Sequence, residues 1–220
     1  MSVVIASVTL LLAAVVLVRV LSPGEWRRPA WWAAVVGGML SFPVALGIQP
    51  TLQKGYLVYI GQAITAMGVP ALIADGGLAL ISGIVQEAVK LLAVFIVFKV
   101  GATRLPGPLG AATGLGFGVI EAFSLVFLPL LGTGVHPVAL VERVFATTFH
   151  AGVTFIAAAG LTGGLRGAAK GYVIAALLHG MLNYGVILKA HWVLGLLGTE
   201  IWVAVGSLLT LGWAWRLRAR

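Results

Sequence analysis

The chain has 220 residues, of which 60% are hydrophobic and only 9% are charged, and its formal net charge is +8. It contains no cysteine, which excludes disulfides, thiolate metal ligands and a cysteine nucleophile. Because apolar runs of about 20 residues recur from end to end and the basic residues lie at their ends, we attribute the charge to membrane orientation and expect no nucleic-acid partner.

The expected fold class is therefore all-α, a polytopic membrane helix bundle. In chain order, the predicted spans lie at about residues 3–21, 30–48, 77–99, 108–131, 137–161, 171–190 and 195–214. Short connections rich in glycine and proline separate them. We expect one integral membrane domain over residues 1–220, with the functional motifs in a core of about residues 77–190.

A further apolar segment, residues 55–76, is long enough to cross the membrane but is interrupted by Pro70 and ends at Asp75. If it does not cross the membrane, ten basic residues share one side and two, Lys54 and Lys189, lie on the other; if it crosses, the division is eight to four. The positive-inside rule therefore predicts seven spans, with this segment re-entrant or on the outer surface. The N-terminus is then outside and the C-terminus cytoplasmic, while an eight-span arrangement remains the alternative.

Four ionisable side chains fall near the middle of four different predicted helices. They are Glu87, Glu121, His150 and His179. Placing such a group at the membrane centre costs at least about 2.5 kcal/mol, so those found there usually serve a function. We expect the four side chains to face one shared cavity.

Helical spacing adds neighbours to these groups. In "GIVQEAVKLL", Gln86, Glu87 and Lys90 are expected to form one polar stripe, although an ion pair that only fixes helix register is the alternative. Gly114 and Gly118 lie almost on the face of Glu121, so they predict a close approach to a neighbouring helix.

The two predicted helices that carry the histidines show similar pairs. Asn183 follows His179 by four residues, and Arg143 precedes His150 by seven, so each pair shares a face. Glu142 and Arg143 lie nearer the end of a span, where snorkelling or a structural contact is an alternative role.

These residue types fit hydrolysis of an amide bond inside the membrane. A carboxylate and an imidazole would bind and deprotonate water, while a second imidazole and an amide would donate to the oxyanion. No HExxH motif is present, so no thermolysin-like zinc site is expected. An alternative zinc site remains open, with ligands supplied by Glu87, Glu121, His150 and His179.

Four motifs, "QEAVK", "FGVIE", "ERVFATTFH" and "HGMLN", occur in this order between about residues 83 and 185. They resemble the PrsW and YhfC glutamic-type intramembrane proteases, which are related to the CAAX endopeptidases. The resemblance implies that the first motif's glutamate and His150 activate water, and that His179 and Asn183 hold the oxyanion. It implies supporting roles for Lys90, Glu121, Glu142 and Arg143.

The resemblance also implies a membrane-embedded endopeptidase without a cofactor, in a bacterial or archaeal plasma membrane. Its substrate would be a transmembrane or lipidated peptide within the lipid bilayer. One residue departs from the family pattern, because Gln86 stands where the family has the first glutamate of a pair. Three explanations remain open: the glutamine is natural and the protein is inactive, the glutamine was introduced by design, or Glu87 acts as the base instead.

Two other functions remain open at this point. A proton-coupled transporter would also line a cavity with Glu and His. A catalytically inactive scaffold that binds transmembrane segments would keep the groove without the acid-base pair, and Gln86 favours this reading over the transporter.

Overall fold

The computed structural model describes residues 19–101, 105–124 and 137–218, together with Leu12, Val15 and Val16. Within these residues the chain is helical and contains no strand. The principal helices are α1 (Pro29–Ala66), α2 (Ala71–Val100), α3 (Pro106–Ala122), α4 (Pro137–Ala159), α5 (Gly164–Ala190) and α6 (Leu196–Arg218). Most of the first predicted span, residues 3–21, and residues 125–131 of the fourth lie outside the described residues.

Four helical stretches among the described residues are long and apolar enough to cross a membrane. They are Pro29–Ala66, Ala71–Val100, Leu140–Ala190 and Leu196–Arg218. The all-helical class is thus confirmed, and the sequence has the helices that a membrane protein requires. The total of seven spans stays a prediction.

The longest of these stretches contains a reversal of the chain. A short 3-10 turn, Gly160–Gly163, joins α4 to α5, and Gly164 adopts a φ of 65° that favours glycine. A Cβ atom on Gly167 would lie 2.4 Å from the carbonyl oxygen of Gly160, so the two backbones nearly touch at this point. Helices α4 and α5 therefore form a hairpin.

Helices α1 and α2 form a second hairpin. Ser41 Oγ donates to the carbonyl of Val89 at 3.3 Å, and Tyr56 donates to the carbonyl of Ala74 at 2.5 Å, which fixes an antiparallel register. The segment of residues 55–76 extends these two helices through a π-helical turn, Leu57–Gly61, and forms no separate helix. The segment thus forms the closed end of a hairpin, and its re-entrant or surface position in the membrane stays a prediction.

Helix α3 lies between α1 and α4 because its glycines leave room for both neighbours. A Cβ on Gly116 would lie 1.9 Å from the carbonyl oxygen of Val35 in α1. On the opposite side, a Cβ on Gly114 would lie 2.1 Å from the carbonyl oxygen of His150 in α4. The predicted close approach at Gly114 is confirmed, and it carries Glu121 to the side of α4.

Candidate functional site

The four ionisable side chains singled out in the sequence meet inside the bundle. Glu87 comes from α2, Glu121 from α3, His150 from α4 and His179 from α5. Glu87 is fully buried, and His179 and His150 are only 1% and 3% exposed. The predicted convergence of these side chains is confirmed by their contacts.

Glu87 lies at the centre of the cluster. Its Oε1 accepts hydrogen bonds from Lys90 Nζ at 2.5 Å and from His179 Nδ1 at 2.6 Å. Its Oε2 accepts from Thr154 Oγ1 at 3.2 Å. Three donors thus replace the water that a carboxylate loses on burial.

Lys90 joins this carboxylate to a second pair of side chains. Its Nζ lies 3.2 Å from His150 Nδ1, and an ammonium can only donate, so Nδ1 accepts. The proton of the His150 ring then sits on Nε2, which donates to Glu121 Oε2 at 2.8 Å. Phe117 covers the amine with its ring, whose centroid lies 4.9 Å from Nζ. Both ring nitrogens of His150 are therefore engaged.

His179 differs from His150 in this respect. Its Nδ1 donates to Glu87, so its Nε2 carries the lone pair, and Nε2 makes no hydrogen bond with any residue that the structure describes. The ring lies edge-on to Phe149 and to His150, with centroids 5.5 Å and 5.1 Å away. The Glu87–His179 pair thus presents an oriented imidazole with an acceptor nitrogen to spare.

Arg143 and Glu142 lie at the edge of the cluster. Arg143 pairs mainly with its neighbour Glu142, through Nε at 3.0 Å and through Nη2. Its Nη1 lies 3.9 Å from Glu121 Oε2, which is a weaker contact. Arg143 thus lies beside Glu121, and its supporting role stays a prediction. Among the described residues, Glu142 is connected to the cluster through Arg143.

Gln86 bonds to α1 rather than to the cluster, so of the predicted stripe Glu87 and Lys90 pair directly and Gln86 does not join them. Its Nε2 donates to Gln49 Oε1 on α1 at 2.9 Å. Successive residues on a helix point about 100° apart, so Gln86 and Glu87 face different neighbours. Gln86 belongs instead to a hydrogen-bonded row of polar side chains between α1 and α2, which also contains the amides of Gln49 and Gln53 and the hydroxyl of Ser82.

Asn183 also lies outside the contacts of the cluster. It is half-buried one turn after His179 and forms no side-chain hydrogen bond within the described part of the chain. The oxyanion role that the resemblance implies for Asn183 has no contact with Glu87, Lys90 or His150 to support it.

Sequence reasoning missed Thr154, which is fully buried and donates to Glu87. Its spacing was a usable signal, because it follows His150 by four residues and so shares its face. Thr147 precedes His150 by three residues and is also fully buried, and its hydroxyl finds no partner among the described residues.

The cluster contains carboxylate and imidazole groups of the kind that bind zinc, but a lysine ammonium lies among them. Donor atoms of Glu87, His150 and His179 lie within 4.8 Å of one another, and such oxygen and nitrogen ligands suit zinc. Lys90 Nζ lies 2.5 Å from Glu87 Oε1 and 3.2 Å from His150 Nδ1, so a buried ammonium already contacts two of these residues. The alternative zinc site stays a prediction.

No family model, curated protein or solved structure matches this chain. The likeness to the PrsW and YhfC proteases therefore rests on the four motifs and their order.

Proposed function

We propose that this chain is an intramembrane endopeptidase that hydrolyses peptide bonds of membrane-anchored substrates. The observation that carries the proposal is the buried Glu87–His179 pair, with a free acceptor nitrogen on His179 and the ammonium of Lys90 beside the same carboxylate. A carboxylate that orients an imidazole is a recurrent arrangement for general-base catalysis.

In the proposed reaction, His179 Nε2 takes a proton from water, and the hydroxide attacks the carbonyl carbon of the scissile peptide. Glu87 stabilises the imidazolium through its bond to Nδ1. The Lys90 ammonium stabilises the oxyanion that forms. His179 then returns the proton to the leaving amine, so the products are a carboxylic acid and an amine.

This division of roles differs from the one that the resemblance implies. Gln86 cannot supply the base because its side chain is a neutral amide, and it bonds to Gln49 of α1, so Glu87 takes the place of the family glutamate. His150 has both ring nitrogens engaged, one by Lys90 and the other by Glu121. We therefore assign His150 and Glu121 to holding Lys90 in position.

The centre of the cluster is buried, since the side chains of Glu87, Lys90 and His179 are at most 2% exposed, whereas Glu121 has 14% of its side chain exposed. Water and substrate can reach His179 only when surrounding side chains move. Turnover is thus expected to depend on an opening step as well as on chemistry.

The proposal is tested by cleavage of single-span peptides in liposomes that contain the purified chain. We expect His179→Ala and Glu87→Gln to abolish cleavage. His191→Ala is the matched control, because His191 pairs with Asp75 at the end of α5, at 2.8 Å, away from the cluster. Full cleavage by either site variant would remove that residue from the mechanism.

Proton transport is the second candidate, favoured by one observation. Glu87, Lys90, His150 and Glu121 form a continuous hydrogen-bonded chain of proton-exchanging groups across three helices. A pH-sensitive dye inside the same liposomes discriminates the two functions. Proton flux that Glu121→Gln abolishes, without any peptide cleavage, would favour transport.

A further inference from the structure

An apolar groove runs along the outer side of α5 and α6. Its volume is about 590 Å³, and none of the side chains that line it is charged. Along α6 it follows Gly198, Trp202, Val205, Leu209 and Trp213, which recur every three or four residues on one face. At 1.5 Å per residue this face extends about 22 Å, most of the roughly 30 Å hydrocarbon thickness of a bilayer.

The floor of the groove reaches the proposed site. Leu178 and Leu182 line the groove and flank His179 on α5. Phe149 also lines it, and the Phe149 ring packs on His179 at 5.5 Å and on His150 at 6.1 Å between centroids. One layer of side chains therefore separates the groove from the imidazole that we assign as the base.

One glycine on α6 leaves space in the groove. Gly206 and Thr210 pack inward instead, because a Cβ on Gly206 would lie 2.7 Å from the Leu182 side chain and Thr210 is only 3% exposed. A Cβ on Gly198 would contact only the side chain of its own neighbour Leu194, at 3.3 Å or more, so this glycine opens toward the groove.

We infer that this α5–α6 groove docks a transmembrane helix of the substrate, a role that rests on the proposed endopeptidase function. The length, the apolar lining and the space at Gly198 suit a helix that lies alongside α6. Contact with Phe149 places the middle of that helix beside His179. A bound lipid or a second copy of this chain are the competing occupants, and the experiment separates them.

Because the chain contains no cysteine, a single introduced cysteine reports on one position in a crosslinking experiment. The probe is a synthetic leucine–alanine helix of about 21 residues, the length of one span, with one central cysteine. Leu209→Cys, in the groove, is expected to form a disulfide with the probe in liposomes when copper phenanthroline is added as the oxidant. Leu46→Cys, on α1 and 58% exposed, is the control and is expected to form none.

Filling the groove is expected to abolish the crosslink at position 209. Gly198→Phe projects into the groove, and Val205→Trp is a second filling variant in case the first disturbs folding. Gly47→Phe is the matched control, because a Cβ at Gly47 of α1 meets nothing within 4 Å. Equal crosslinking at positions 46 and 209, or a crosslink that survives both filling variants, would overturn the inference.

The remaining outcomes identify the other occupants and separate this inference from the proposed function. If Leu209→Cys forms a disulfide-linked dimer whose amount does not fall when the probe is added, the groove is an interface between two copies of the chain. If no crosslink forms at all, lipid occupies the groove. Both results overturn docking. Crosslinking is also measured in the His179→Ala background, where no hydrolysis is needed. A crosslink at position 209 without any cleavage by the unmodified chain would support docking and refute the endopeptidase function. Cleavage without that crosslink would support the endopeptidase function and refute docking.

Discussion

The arrangement around Lys90 depends on charge compensation at single residues. Lys90 and Glu87 are both fully buried, and their charged atoms lie 2.5 Å apart. A buried pair of this kind contributes little relative to apolar residues of the same size, but losing one partner leaves an uncompensated charge. The two residues are therefore expected to be strongly coupled.

We predict that Lys90→Met and Glu87→Gln each lower the free energy of unfolding by about 3–5 kcal/mol, because each leaves the other residue unpaired. The double variant is expected to recover most of this loss. Unfolding in detergent, followed by circular dichroism, gives the three values. If the double variant is as unstable as the sum of the single variants, the pair is not coupled.

Gln86 supports a second prediction at the scale of the residue. Gln86→Glu would place a carboxylate at a position that is only 7% exposed, where its hydrogen-bond partner Gln49 is an uncharged amide. We expect this variant to melt at a lower temperature than the unmodified chain and to gain no peptidase activity. An increase in cleavage would return the role of the base to position 86 and contradict the assignment of Glu87.

At the scale of the helix, glycines set the distances on which the site depends. Gly114→Ala would place a Cβ against the backbone of His150, so α3 and α4 must separate. We predict a loss of about 1–3 kcal/mol in the free energy of unfolding, as for other overpacked sites, together with loss of activity as Glu121 leaves His150. Gly47→Ala, which faces open space, is the control and is expected to retain both properties.

The helices also show how far the sequence could predict the site. Glu87, Glu121, His150 and His179 were identified because a charge in mid-membrane is rare and depth can be counted along each span. The orientation of Gln86 was not predictable in this way. Gln86 and Glu87 are adjacent and point in different directions, and the sequence does not say which of them faces the helices that carry the histidines. That choice depends on which helices become neighbours, and this is a property of the packed bundle.

Helix α1 illustrates a different limit. Its predicted span ended at residue 48, close to Pro50, yet the helix continues through Pro43 and Pro50 as far as Ala66. Proline usually ends a helix in water, but membrane helices tolerate it when neighbouring groups satisfy the freed carbonyls. The extension of α1 therefore depends on its environment more than on its composition.

At the scale of the whole molecule, the charge distribution predicts how the bundle lies in the membrane. The turn between α1 and α2 and the turn between α4 and α5 end at opposite sides, and the basic residues Arg166 and Lys170 follow the second turn. From the positive-inside rule we predict that the first turn lies outside and the second in the cytoplasm.

Two exposed residues near these turns test that orientation. Met67 is 74% exposed and Leu165 is 88% exposed. We predict that Met67→Cys reacts with a membrane-impermeant maleimide on intact cells, whereas Leu165→Cys reacts only after permeabilisation. The opposite pattern would invert the topology, and reaction of both residues from outside would contradict the hairpins of the fold.

The central claim is that a buried imidazole on α5, oriented by Glu87, activates water for peptide hydrolysis. Its most direct test is cleavage of a single-span peptide in heavy-oxygen water, with mass spectrometry of the products and a chelator present throughout. The account predicts that the new carboxyl group carries one heavy oxygen, and that His179→Ala yields no product. An intact peptide after prolonged incubation with the unmodified chain, or equal cleavage by His179→Ala, would contradict it.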